Sequence, residues 1–424
     1  MLDPKFIRAN PELLKKAIQD KGEKADIDEF LALDEKRRHI IAEVENLKAE
    51  RNTASMEIAR IKKEKGDASE IISRMKAAGE KIASLDNQLR KLDDRIAGIL
   101  LWIPNIPHQS VPVGQSDEDN VEIKRWGEIK SFDFTPRPHW EIGEMIGGLD
   151  IPHGANVSGS GFYFLTGPGA KLERALINFM LDLHTGEHSY TEVMIPYLVS
   201  ENSMRGTGQL PKLKEDMYQV EQDNLYLIPT AEVSLTNIHA GEILPPGSLP
   251  EKICAFSPCF RREAGSYGKE TRGIVRVHQF HKVEMVKIVE PETSYDELDS
   301  LLANAEKVLQ LLQLPYRVRI LCTGDLSFAA SKCYDIELYA PGMKAWLEVS
   351  SCSNFESFQS RRMNLRYRPE KGGKTEFPHT LNGSGLALPR TVVGILENYQ
   401  TKSGEVVVPE ALHPYMRGLE VLKG

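Results

Sequence analysis

Residues 259–289 read CFRREAGSYGKETRGIVRVHQFHKVEMVKIV. Both ends alternate apolar with polar residues, the period of a strand, and the middle, Ala264 to Gly273, holds three glycines among polar residues. The pattern predicts a β-hairpin with a long loop. On the first strand Arg261 and Glu263 stand two apart and are expected to share a face. On the second, Arg276, His278, Phe280 and Glu284 share one. One sheet surface would then offer a guanidinium, two carboxylates and an aromatic ring. Carboxylates on a covered face need partners, so by itself the segment fits an ion-paired sheet as well as a binding face.

Further strand-like runs lie at Leu225–Ile228, Cys254–Arg262, Ile274–Val289, Tyr334–Tyr339 and Trp346–Ser350. Helical stripes lie at Leu172–His184 and at Tyr295–Leu312, the latter carrying Leu298, Leu301, Leu302, Ala305, Val308 and Leu312 on one side. Long strands without a regular βαβ beat predict an α+β domain, an antiparallel sheet flanked by helices. Two more clusters stand out. In Trp346-Leu347-Glu348-Val349-Ser350-Ser351, alternation puts Glu348 and Ser350 on one face, a carboxylate and hydroxyl set suited to Mg²⁺ or to an ordinary surface strand. Gly383-Ser384-Gly385-Leu386-Ala387-Leu388-Pro389-Arg390 opens an apolar helix, with proline in its first turn and an arginine beside the positive helix end. Glycine pairs are common in loops, and no GxxxxGK[ST] phosphate loop is present.

Upstream the pattern changes. Between Lys24 and Ile99 there is no proline, and apolar residues recur at sevens. Leu33, Ile40, Leu47, Ala54 and Ile61 form one row; Phe30, Val44 and Ile58 form a second, interrupted by Arg37 and Arg51. After Gly66-Asp67 the rows restart as Ile71, Ala78, Leu85, Leu92, Ile99 and Met75, Ile82, Leu89, Ile96. Two such seams about a tight turn predict an antiparallel two-helix coiled-coil arm. At ~34 residues per helix it would be about 50 Å long. The domains are read as an arm at 1–102, a proline-rich linker at 103–120 and a sheet domain at 121–424.

Composition excludes some classes. The 424 residues are 41% hydrophobic and 27% charged, ordinary for a globular chain. The longest apolar run, Ile99 to Ile103, is far short of the ~20 residues of a membrane span. The first ten residues lack the apolar core of a secretory signal, so a cytoplasmic location is expected. Five scattered cysteines without a CxxC pair signal neither a zinc ribbon nor a disulfide framework. Net charge is 53 − 61 = −8, against a generally basic nucleic-acid-coating surface. Locally the sign reverses: residues 51–81 carry eight basic side chains against five acidic. That stretch fits either a solvated helix surface or a phosphate-contacting arm.

Together the motifs resemble a family. FRRE with the HQFHKVE strand, GSGLALPR, and VMIPYLV around Pro196 look like motifs 2, 3 and 1 of class II aminoacyl-tRNA synthetases. The heptad arm, GTGQLPK at 206–212, PTAE at 229–232 and EVSSCSNFESFQSRR are similar to the seryl-tRNA synthetases within that class, and the resemblance runs through the whole chain in order. It implies an ATP- and Mg²⁺-dependent ligase that activates L-serine to seryl-adenylate and loads it on tRNA(Ser), with tRNA(Sec) a second expected acceptor, acting as a homodimer seamed at Pro196.

By resemblance, Arg261 and Arg390 are the catalytic cations, and Thr230, Ala231, Glu232, Arg261, Glu284 and Ser384 form the serine pocket. Arg261, Arg262, Glu263, Val277, Phe280, Glu348, Val349, Ser350, Ser351 and Arg390 form the ATP site. Within it Phe280 stacks on adenine, Glu263 reads its amino group, Arg390 meets the γ-phosphate, and Glu348 with Ser351 holds Mg²⁺; no zinc is expected. There are two small departures: Arg262 stands where a small residue is usual, and since alternation points it to the other face it implies no change of chemistry; the loop at 205–212 reads RGTGQLPK where TGTGQLPK is usual. The alternatives are a relative that charges a carrier protein, which would lack the arm, and an inactive RNA-binding paralogue, which would have lost Arg261, Glu348 or Arg390.

Overall fold

The computed structural model describes residues 1–264 and 272–424. Residues 265–271, the centre of the loop expected in the hairpin, lie outside the described residues. By contacts the chain divides into one unit of residues 2–19 and 23–104 and a second of residues 1, 20–22 and 105–424.

The smaller unit is built on two long helices, α1 (Ile27–Lys63) and α2 (Ser69–Leu100). Asp26 caps α1 by accepting from Glu29 N, and Arg60, Lys62 and Lys63 sit in its last turn against the negative helix end. Asp67, in the turn, accepts from Ser69 N at 2.9 Å. The heptad rows face each other: Ile40 and Val44 pack with Ile82, Leu85 and Leu92, with Leu33, Leu47 and Leu89 at the margin. Arg37, which interrupts its row, is offset by an ion pair to Asp93 on the other helix; Glu29–Arg95 and Glu43–Lys81 pair in the same antiparallel sense. Arg51, the other interruption, is exposed.

The larger unit is organised by an eight-stranded sheet: β1 (Val121–Trp126), β2 (Thr191–Glu192), β3 (Glu251–Phe260), β4 (Gln279–Val289), β5 (Tyr316–Ile320), β6 (Lys332–Ala340), β7 (Ala345–Asn354) and β8 (His379–Ala387). Their spatial order is β1-β5-β6-β7-β8-β4-β3-β2, and every pairing is antiparallel except β2 with β3. Three helices, α3 (Gly167–Gly186), α4 (Ser294–Leu311) and α5 (Leu388–Asn398), pack on it. The alternation of β4 explains the layering. Val283, Met285 and Val289 point into the main core with Leu172, Leu176, Leu298 and Val392. The even residues Phe280, Lys282 and Glu284 point the other way, where the candidate site lies.

Three expectations change here. β3 ends at Phe260, so Arg261 and Glu263 do not share a face by strand alternation; Glu263 turns into the left-handed region at φ 52°. β4 begins at Gln279, and Arg276 and His278 precede the ladder in irregular chain. That chain is pinned by His139, whose Nε2 accepts from Ile274 N at 3.1 Å and lies 2.0 Å from where a Cβ on Gly273 would stand. Of the segment 103–120, read as linker, residues 105–120 belong to the larger unit. Asn105 Nδ2 donates to the carbonyls of Ala329 and Phe355 at 2.9 and 2.8 Å, and Val111 is buried. Proline removes donors but leaves carbonyls, and here Pro112 O and Gly114 O accept from Thr323 N and Gly324 N at 2.9 and 3.0 Å.

Candidate active site

β3, β4, β7 and β8 bring chain segments far apart in sequence to one sheet face, because β8 inserts between β4 and β7. Above that face lies a cavity of about 510 Å³, adjoined by a smaller one of about 170 Å³. Arg261, Glu263, Arg276, Lys282, Glu348 and Ser384 line both.

The smaller chamber is the aromatic and cationic one. Phe280, Val277, Val349 and Arg390 line it, and the Arg261 guanidinium stands 5.2 Å over the Phe280 ring. Arg261 is held by its Nε donating to Pro229 O at 3.2 Å, and its backbone N–H meets His278 O at 2.9 Å. Arg276 reaches Glu263 at 2.6 Å. Arg390, in the first turn of α5, donates to Glu348 O at 2.6 Å and to Val275 O at 3.2 Å, bridging β7 and the chain before β4. A guanidinium fixed by backbone carbonyls keeps its remaining donors in a set direction, the requirement for gripping phosphate.

The larger chamber has a buried polar floor. Lys282 Nζ lies 2.5 Å from Glu284 Oε2 and donates to Thr230 Oγ1 at 2.9 Å. Ser384, opposite Glu284 in the β4–β8 ladder, reaches the same carboxylate at 3.5 Å. Glu284 Oε1 is buried without a hydrogen-bond partner, and so is Asn382 Oδ1 in the same lining. A buried acceptor left open costs stability unless a ligand supplies the donor. Glu232 accepts from Gln359 Nε2 at 2.7 Å; burial pushes its carboxyl up to about 7, against that bond and with help from Glu284.

On β7 the alternation breaks. Glu337 faces Glu348 but Ile336 faces Ser350, so Val349 is a bulge. The bulge turns Glu348 and Ser351 together toward the cavity, while Ser350 points beneath it and donates to Ser384 O at 2.7 Å. The sequence alternation that paired Glu348 with Ser350 is thereby corrected. Ser351 Oγ lies 2.6 Å from Asp335 Oδ1 and 3.1 Å from Glu348 Oε1. Burial, then the charge of Glu348, raises the Asp335 carboxyl well above its ordinary value. Desolvation works the same way on Glu348, but Arg390 and Arg261 outweigh it and hold that carboxyl low. An ionised carboxylate beside a hydroxyl is an all-oxygen donor set of the kind Mg²⁺ takes.

Thus Thr230, Glu232, Arg261, Glu263, Glu284, Glu348, Ser351 and Ser384 line the larger chamber, and Val277, Phe280, Val349 and Arg390 the smaller. Ala231, Arg262 and Ser350 line neither: Ala231 is in the core, Arg262 is exposed, and Ser350 supports β8. Lys282, Asn382, Arg276 and Asp335 were not assigned by sequence. Lys282 could have been, since it shares the alternation of Phe280 and Glu284; Asp335 could not, since only the β6–β7 register sets it against Ser351.

Known proteins share this arrangement. Residues 1–107 match the seryl-tRNA synthetase N-terminal domain, and residues 217–399 match the tRNA synthetase class II core domain (G, H, P, S and T). The serine–tRNA ligase of Geobacillus kaustophilus is 56% identical over 424 residues, covering all of both chains, and that of Carboxydothermus hydrogenoformans is 55% identical over 98% of each. Among solved structures, seryl-tRNA synthetase from Pyrococcus horikoshii complexed with ATP superposes with a TM-score of 0.95 at 39% identity, over 100% of this chain and 99% of that one. The cytoplasmic serine–tRNA ligase of Naegleria fowleri in complex with AMP gives 0.89 at 30%, with the same coverage. From the two-chambered site on an antiparallel sheet, the helical arm and these full-length likenesses, it follows that this chain belongs to the seryl-tRNA synthetase family of class II.

Proposed function

We propose that this chain is a serine–tRNA ligase that uses ATP and Mg²⁺ to make seryl-adenylate and passes the seryl group to tRNA(Ser), with tRNA(Sec) as a second acceptor. The observation that carries this is the pair of adjoining chambers. One offers a half-buried ring and fixed guanidinium groups for a nucleotide, and the other a buried polar floor for a small hydroxylated amino acid. A pocket built to hydrogen-bond a hydroxyl rejects alanine by leaving its own groups unpaired, and the open Oε1 of Glu284 is such a group.

In the first step a serine carboxylate oxygen forms a bond to the α-phosphorus of ATP. The bond from that phosphorus to the bridging oxygen breaks, and pyrophosphate leaves with the electron pair. The nucleophile is already ionised, so the site needs positioning and charge stabilisation rather than a base. Arg261 sits between the chambers, where the α-phosphate and the substrate carboxylate would meet; Arg390 would hold the γ-phosphate. Glu348 and Ser351 would hold Mg²⁺, which neutralises charge on the phosphates when bound. In the second step a 3′-terminal ribose hydroxyl oxygen of tRNA forms an ester bond to the acyl carbon; the bond from that carbon to the phosphate oxygen breaks, AMP leaves with the electron pair, and the hydroxyl proton passes to the departing phosphate.

Residues 1–102 are proposed as the tRNA-binding arm, 103–120 as the connection and 121–424 as the catalytic domain. The chain is proposed to act in the cytoplasm as a homodimer. Supporting the dimer, the segment after β2 is largely bare, with Met194 90% exposed and Tyr197 and Leu198 exposed beside it. Serine-dependent ATP–pyrophosphate exchange, followed by charging of tRNA(Ser), tests the reading. Exchange driven by another amino acid and not by serine would overturn it.

A further inference from the structure

Lys282 is buried in the floor of the larger chamber, its side chain 8% exposed, with its ammonium on Glu284 and Thr230. Lysine is rarely buried unless paired, and here the pairing consumes one oxygen of Glu284, whose other oxygen stays open. We propose that Lys282 sets the charge that a substrate side chain must carry: its ammonium neutralises Glu284, so that the open oxygen accepts from a neutral hydroxyl while Lys282 itself repels a second cation. This rests on the reading of the chamber as the amino-acid pocket.

The surrounding groups support the assignment. Arg261 and Cys259 face Lys282 from β3 and its end, Glu232 from the helix Glu232–Thr236, Ser384 from β8, and Glu348 from β7. Arg390 and Arg261 attend to Glu348 and Gln359 donates to Glu232, so the cation next to Glu284 is Lys282. Without it, Glu284 would be a desolvated lone carboxylate, a site that selects cations. With it, an ammonium at Oε1 would place two positive charges on one carboxylate. Specificity then includes a repulsive element as well as hydrogen bonds.

The test compares L-serine with L-2,3-diaminopropionate, its analogue with an amine for the hydroxyl, in pyrophosphate exchange at mildly acid pH where that amine is protonated. Lys282→Gln keeps a donor and removes the charge; Lys282→Arg keeps the charge. The ratio of kcat/KM values, serine over diaminopropionate, should fall roughly tenfold or more in Lys282→Gln and stay near the wild-type ratio in Lys282→Arg. An unchanged ratio in a folded Lys282→Gln, or equal losses of serine activity in both variants at constant ratio, would leave Lys282 a structural residue only. Should the variants not fold, the wild-type enzyme decides. Measured relative to serine at each pH, diaminopropionate should compete better once its side-chain amine is neutral, and pH-independent competition refutes the proposal. Absence of serine-dependent exchange in the wild-type enzyme would instead sink the underlying reading.

Discussion

Removing the guanidinium of Arg390 is the sharpest perturbation of the nucleotide chamber. Its Nη1 and Nε donate to Glu348 O and Val275 O, so the side chain is aimed before any ligand arrives. Loss of one preorganised donor at developing charge costs ~2.7–4 kcal/mol, a 100- to 1,000-fold fall in rate. Arg390→Ala should therefore cut serine-dependent pyrophosphate exchange by that factor at saturating serine. A second effect follows from Glu348, whose Oε2 lies 3.6 Å from Arg390 Nη1. Two unit charges at such a distance interact by ~1 kcal/mol in water and about four times that at an effective dielectric of ~20. The Glu348 side chain is 46% exposed, so the watery limit applies and the pair is worth ~1 kcal/mol. Without it the Glu348 carboxyl rises toward its ordinary value. A carboxylate with a depressed pKa loses its contribution as pH falls, so the acid limb of the exchange profile should move to higher pH in Arg390→Ala, and the Mg²⁺ requirement should grow there. Arg390→Lys should recover part of the rate, since it restores charge without the fork. A folded Arg390→Ala enzyme, checked by its melting curve, that exchanges at near wild-type rate would refute the reasoning.

Other outcomes follow from the same geometry. Deleting residues 30–98 should leave pyrophosphate exchange largely intact and cripple tRNA charging, and replacing the exposed Lys62, Lys63 and Lys65 should lower the slope of log affinity against log salt by ~2–3; normal charging by the truncated enzyme would show that the arm is only a solvated coiled coil. Glu284→Ala should raise the KM for serine far more than that for ATP, and by leaving Lys282 buried without its carboxylate should cost ~3–5 kcal/mol of stability in denaturant titration; an unchanged serine KM excludes it from the pocket. Glu232, with a folded value of about 7 against 4.5, holds a proton that the unfolded chain has already released between those pH values. Its contribution to stability therefore declines as pH rises through that window and is level above it; Glu232→Gln should remove that decline from a plot of Tm against pH, and parallel plots would contradict the assigned burial.

What the sequence determined was whatever depends on period and local chemistry. Rows at sevens specified two helices and their facing sides, since a repeat near 3.5 keeps one stripe inward whatever lies around it. Alternation in QFHKVEM placed Phe280 and Glu284 on one face. The proline and arginine after GSG marked the start of α5. Tertiary structure decided where alternation fails and where strands meet. The bulge at Val349, which swaps Ser351 for Ser350 beside Glu348, depends on the register against β6. The left-handed turn at Glu263 depends on chain packed around the end of β3, where Asp216 accepts from Ala264 N. Asp335 and Asn382 became site residues only when β6, β7, β8 and β4 lay side by side, because pairing brings strands together without regard to their distance in sequence. Local sequence fixes a residue's direction on its own strand; which partner it meets is set by the ladder, and the chemistry of this pocket belongs to those meetings.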